Sequence, residues 1–145
     1  MPTRPLPPVI GATENALRAL LNGVLAESSI GGFHEWVYLN IQEGANDPLR
    51  AEELIADSLT QGHDAVAAIR TRLVDAGLLD VDGSLTALGR EQLRSCRELV
   101  AQITQTLTDG IDPAAAQTTI ETLETVRSRA QTALRKKWSQ AGSNR

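Results

Sequence analysis

Apolar residues recur at helical spacing through most of the chain. Leu17, Leu20, Leu21, Val24 and Leu25 form one stripe and predict an amphipathic helix over residues 12–27. Gly31-Gly32 breaks the pattern, and residues 33–44 read as a second helix ended by Gly44. Asp47-Pro48 reads as a turn, with Glu52 and Glu53 suited to the positive end of a short third helix. Leu54, Ile55 and Leu59 face inward there, before Thr60-Gln61-Gly62 interrupts. Val66, Ile69 and Leu73 carry a fourth helix over residues 63–76, stopped at Gly77. The period then changes, because apolar positions within residues 78–85 flank Asp82-Gly83, a strong short-range hairpin signal.

Two longer helices follow. Leu93, Cys96, Val100, Ile103 and Leu107 alternate spacings of three and four, as in a heptad seam. Asp112-Pro113 supplies an N-cap and a first-position proline for the last helix. Its stripe is Ala116, Ile120, Leu123, Val126, Ala130 and Leu134. A small head cannot cover two such helices, so a partner chain is the natural place for the surplus apolar surface. At the ends, four of the six prolines (Pro2, Pro5, Pro7, Pro8) predict an extended arm over residues 1–11. Residues 141–145 are small and polar and read as a frayed tail.

Composition fits this picture. The 145 residues suit a single domain over residues 12–140, and the hydrophobic 41% includes only four aromatic residues. Ala, Leu, Val and Ile dominate, which favours helix packing and a mainly α fold. A lone cysteine excludes an internal disulfide framework and fits a reducing cytosol. No apolar run reaches bilayer-spanning length and no signal-peptide segment follows Met1, so the expectation is a cytoplasmic protein without a membrane partner.

Residues 50–85 thus read as a helix-turn-helix followed by a small β-wing. Here the chain resembles the MarR (multiple antibiotic resistance regulator) family of winged-helix proteins. The likeness rests on Arg72-Leu73-Val74-Asp75-Ala76-Gly77-Leu78-Leu79 and on Leu85-Thr86-Ala87-Leu88-Gly89-Arg90. These match the family's R-L-x-x-x-G-L at the end of the recognition helix and its L-T-x-x-G after the wing. Glu35-Trp36 followed by Leu39 is also similar to the family's second helix.

The resemblance implies a winged-helix head over about residues 31–88, with dimerisation helices over about 12–27 and 86–138. It implies an obligate homodimer joined through Leu17, Leu20, Leu21, Val100, Ile103, Leu107, Ile120, Leu123 and Ala130. Double-stranded DNA would meet residues 63–72 and the hairpin 80–85, with His63, Asp64, Arg70, Arg72 and Ser84 as candidate contacts. A small hydrophobic or aromatic ligand would sit between head and stem and shift the spacing of the two heads. The expected function is a ligand-responsive transcriptional regulator.

Charge departs from that pattern. The total is −4, yet residues 31–82 hold ten carboxylates and three arginines, a net charge of −7. The segment at the start of the expected recognition helix, Gly62-His63-Asp64-Ala65-Val66-Ala67-Ala68, offers few donors to bases. The wing Asp80-Val81-Asp82-Gly83-Ser84 carries two acids and no base, which repels phosphate. The alternative expectation is therefore a repurposed member that has lost DNA binding and uses its cleft for small molecules or catalysis. A third is a protein-interaction dimer whose acidic head meets a basic partner.

Candidate ligand chemistry concentrates in one place. Phe33, His34, Trp36, Val37 and Tyr38 hold three of the four aromatic residues and one of the two histidines. They suit a planar apolar ligand, or else Phe33, Trp36 and Val37 are simply core. His34-Glu35 is not a zincin motif, since Tyr38 stands at the second ligand position, and no metal or cofactor is expected. No catalytic motif is present. An activity would have to draw on His34, Glu35 and Tyr38. Cys96 reads as packing in the stem, Arg90, Arg94 and Arg97 as a solvated helix face, and Arg135-Lys136-Lys137 as complements to a helix C-terminus.

Overall fold

Helix formation begins earlier than proline content suggests. The computed structural model describes residues 3–143, and α1 runs Leu6–Leu25 with Pro5 as its N-cap and Pro7 and Pro8 in its opening turns. The extended arm expected through residue 11 is therefore a helix from Leu6 onward. First-turn N–H groups have no intrahelical acceptor, so proline loses nothing there, and its fixed φ already suits the helix. Pro2 lies outside the described residues.

The remaining helices are α2 (Phe33–Gly44), α3 (Pro48–Leu59), α4 (His63–Asp75), α5 (Ala87–Thr108) and α6 (Pro113–Ser143). The fold is mainly α. Asp47-Pro48 is not a free turn: Asp47 Oδ1 accepts from Leu49 N–H at 3.1 Å and caps α3. Glu52 and Glu53 consequently sit beyond the first turn. Asp112 repeats the device at α6, its Oδ2 accepting from Ala115 N–H at 3.2 Å. The tail expected to fray from residue 141 is helical through Ser143; Asn144 and Arg145 lie outside the described residues.

The chain divides into two compact units, one ending at Thr104 and the other starting at Gln105. In the first, α2 is the hub, packed on α1, α3 and α4. Leu25, Leu39, Ile55, Val66, Ile69, Leu73, Leu78 and Leu93 meet in one core that also takes in Tyr38 and Cys96. Cys96 thus packs in the same core as α2–α4, and the spacing seen as one seam splits. Leu93 and Cys96 are buried, Val100 and Ile103 half-buried, and Leu107 exposed. In the second unit α6 buries no residue at all, although its apolar stripe is long.

Between α4 and α5, β pairing among the described residues is a single antiparallel bridge, Leu79–Leu85. No strand of a wing forms beyond it. The turn is closed by Asp80 N–H to Ser84 C=O at 2.8 Å and Gly83 N–H to Asp80 C=O at 3.0 Å. Gly83 adopts φ +92°, which explains a glycine after Asp82. Below the turn, Thr86 Oγ1 donates to Gly77 C=O at 2.6 Å and accepts from Gly89 N–H at 2.9 Å. Gly89 itself lies so close to Leu78 that an added Cβ would stand 2.1 Å from the Leu78 carbonyl oxygen. The two sequence segments that carry the family likeness therefore meet at this joint.

Candidate functional site

The aromatic run on α2 does not form one surface. Phe33 and Tyr38 are five residues apart, which turns them about 140° from each other around the helix. Phe33 faces α1: its N–H donates to Asn22 Oδ1 at 3.0 Å, and the Arg18 guanidinium lies 4.5 Å from its ring centroid. The His34 ring is tilted beside it at 5.9 Å. Trp36 packs against the hydrophobic core and Val37 is half-buried. Tyr38 is buried on the other side, among the residues of α3 and α4. A common aromatic cleft over residues 33–38 is therefore replaced by two separate environments.

On α4, His63 and Asp64 are exposed in the first turn, behind Gly62, which offers no side-chain cap. The two arginines expected to meet phosphate are already paired. Arg70 Nη1 lies 2.6 Å from Glu52 Oε1 on α3, and Arg72 Nη2 lies 3.1 Å from Glu35 Oε1 on α2. Ser84 is engaged at the turn, its N–H and Oγ both donating to Asp82 Oδ1, at 3.0 and 2.6 Å. Those bonds hold the Asp82 carboxyl below the usual carboxylate range, the Ser84 hydroxyl contributing most, so the tip stays anionic. On α5, Arg94 pairs with Glu91 and Glu98 of its own helix. Arg97 is not a solvated side chain, because it reaches Asn40 Oδ1 at 2.9 Å and Glu43 at 2.6 Å on α2.

A cleft of about 140 Å³ lies between α2, α3, α4 and the turn. Tyr38 and Gln42 line it from α2, Leu49 and Glu52 from α3, Arg70 from α4, and Val81, Asp82 and Gly83 from the turn. Glu52 Oε1 accepts from both Arg70 and, more distantly at 3.4 Å, the Tyr38 hydroxyl. Burial, reinforced by the Glu52 charge, pushes the Tyr38 phenol up to about 12, so it remains a neutral donor. Gln42 is 7% exposed and its Oε1 is buried without a hydrogen-bond partner. Leu49 and Val81, by contrast, are 78% and 90% exposed.

Tyr38 and Arg70 were expected among site residues, but for different sites; Gln42, Leu49, Glu52 and Val81 were not. A partial signal existed, since Tyr38 and Gln42 are four apart and share one helix face. Among the described residues no group of three or more His, Cys, Asp or Glu side chains is placed to hold a metal ion. Nor is any helix among them long and apolar enough to cross a membrane. Comparison with family models, with curated proteins and with solved structures finds no significant match.

Proposed function

We propose that the chain is a homodimeric, ligand-responsive transcriptional regulator of the MarR type, working in the cytoplasm through a winged helix-turn-helix. The supporting observation is the joint at Thr86. Thr86 binds Gly77 and Gly89 at once, and Gly89 admits the Leu78 carbonyl. The R-L-x-x-x-G-L and L-T-x-x-G segments thereby have a shared physical purpose, which is to fix a hairpin between α4 and α5. In this reading α3 and α4 form the helix-turn-helix, α4 enters the major groove, and the Asp80–Ser84 turn is a minimal wing. The exposed Leu17 and Leu20 of α1, with Leu6 and Val9 ahead of them, belong to the dimer interface, as do Leu107, Ile120 and Leu123.

A second reading is favoured by the ion pairs. Arg70 and Arg72 are committed to Glu52 and Glu35, and the adjacent turn exposes Asp80 and Asp82. Breaking those pairs to reach phosphate gains little over keeping them, so a MarR-like protein without DNA binding follows naturally.

Fluorescence anisotropy with duplex DNA from upstream of the chain's own gene separates the two. The regulator reading expects binding near 50 mM salt that weakens on added salt, with a log–log slope of about −0.9 per phosphate neutralised. Absence of salt-sensitive binding at about 50 mM salt overturns it and leaves the second reading.

A further inference from the structure

The cleft under the turn holds a buried acceptor with nothing to bind. Gln42 Oε1 is buried and unpartnered, in a space also lined by the carboxylates of Glu52 and Asp82. Such an orphaned group costs about 1–3 kcal/mol unless a donor arrives from outside the protein. Arg70 is the one cationic side chain lining the cleft, and Glu52 already holds it at 2.6 Å. Two carboxylates, one guanidinium and a free carbonyl leave the cleft with a net negative charge and an unmet demand for donors. Its mouth is flanked by Leu49 and Val81, two large apolar side chains left almost fully in water. At about 30 Å³ per water, the volume of about 140 Å³ equals that of roughly four or five waters, the scale of a short-chain amine.

We propose that this cleft binds a small organic cation, an alkylammonium group that donates to Gln42 Oε1 and faces Glu52 and Asp82 while its alkyl chain covers Leu49 and Val81. The ammonium supplies three donors, which serve the amide carbonyl and both carboxylates without displacing Arg70. The assignment is independent of whether α4 meets DNA. The same chemistry exists as a free amine and as a lysine side chain on a peptide.

The test is a titration of the full-length, ¹⁵N-labelled protein by NMR. Its probes are n-butylammonium chloride, potassium butyrate and N-acetyl-lysine methylamide. Saturable shifts at the Gln42 side-chain amide and the Val81–Ser84 backbone are expected with n-butylammonium and not with butyrate. Equal affinity for the lysine derivative marks a site open to peptide; weaker affinity marks one for free amines. Gln42→Leu should lower n-butylammonium affinity by about tenfold or more. Asp82→Asn retains an oxygen to accept from Ser84 and removes only the charge, so it should weaken binding by a few fold even if Gln42→Leu proves unfolded. No saturable shift, butyrate binding as well as n-butylammonium, or undiminished affinity in both variants overturns the proposal.

Discussion

The unit ending at Thr104 and the unit starting at Gln105 are both helical, but they are stabilised in different ways. In the first, every helix contributes to one core, and Leu25, Leu39, Ile55 and Leu93 are wholly buried. In the second, a 31-residue helix buries nothing, and Ile120, Leu123 and Trp138 are left substantially exposed. Helices draw most of their stability from packing an apolar face, and α6 has an apolar stripe without a cover of that kind. The contrast teaches where self-sufficiency ends: the chain completes its own head and leaves the stripe of α6 for something else. A second copy is the occupant we propose.

The largest effects should fall on either side of that boundary in different observables. Leu39→Ala should cost about 2–5 kcal/mol in thermal or urea unfolding, and leave assembly unchanged. The double change Ile120→Lys and Leu123→Lys should do the reverse, halving the mass in sedimentation velocity while the head still melts cooperatively. Wild-type protein that sediments as a monomer at micromolar concentration would break the comparison, since α6 would then stand uncovered.

A spectroscopic effect comes next. Tyr38 is the only tyrosine, so phenolate absorbance near 295 nm reports on it alone. Its folded pKa of about 12 lies above the ordinary value of 10, so the fold holds the proton more tightly than the unfolded chain does. The stabilisation is complete below pH 10 and is lost as pH rises from 10 toward 12. Phenolate should therefore appear late and together with loss of helix signal. Titration near pH 10 with intact helix signal would place Tyr38 in water, outside the core.

The smallest effect concerns the α3–α4 turn. Thr60 ends α3 at φ +52°, the one non-glycine residue among those described with positive φ. A β-branched side chain is strained there, so Thr60→Gly should raise head stability by about 0.5–1 kcal/mol. A lower melting temperature in that variant would mean the threonine side chain contributes more than its backbone costs.

The helices were legible because their stripes are periodic and their ends carry local signals, such as Asp112-Pro113 and the glycine after α4. The start of α1 was misread because four prolines look like a barrier, whereas Pro5, Pro7 and Pro8 occupy the only turns where a helix tolerates them. The hairpin was legible from Asp82-Gly83, although its pairing stops at Leu79–Leu85. The cleft was not. It is assembled from α2, α3, α4 and the turn, and no spacing rule links Gln42 to Glu52, Arg70 and Asp82. Nor does a sequence reveal that Arg70 and Arg72 have found Glu52 and Glu35, although the count of ten carboxylates to three arginines made such pairing easy.

The joint beneath the hairpin has a consequence for protein engineering. Thr86 and Gly89 anchor the two arms of the hairpin at its base, so the tip carries little responsibility for the register of α4 and α5. Lengthening a surface loop costs only about 0.6 kcal/mol per doubling. Residues 81–83 should therefore accept an inserted cassette, including an arginine-bearing one, and turn the head into a scaffold whose target is chosen at one loop.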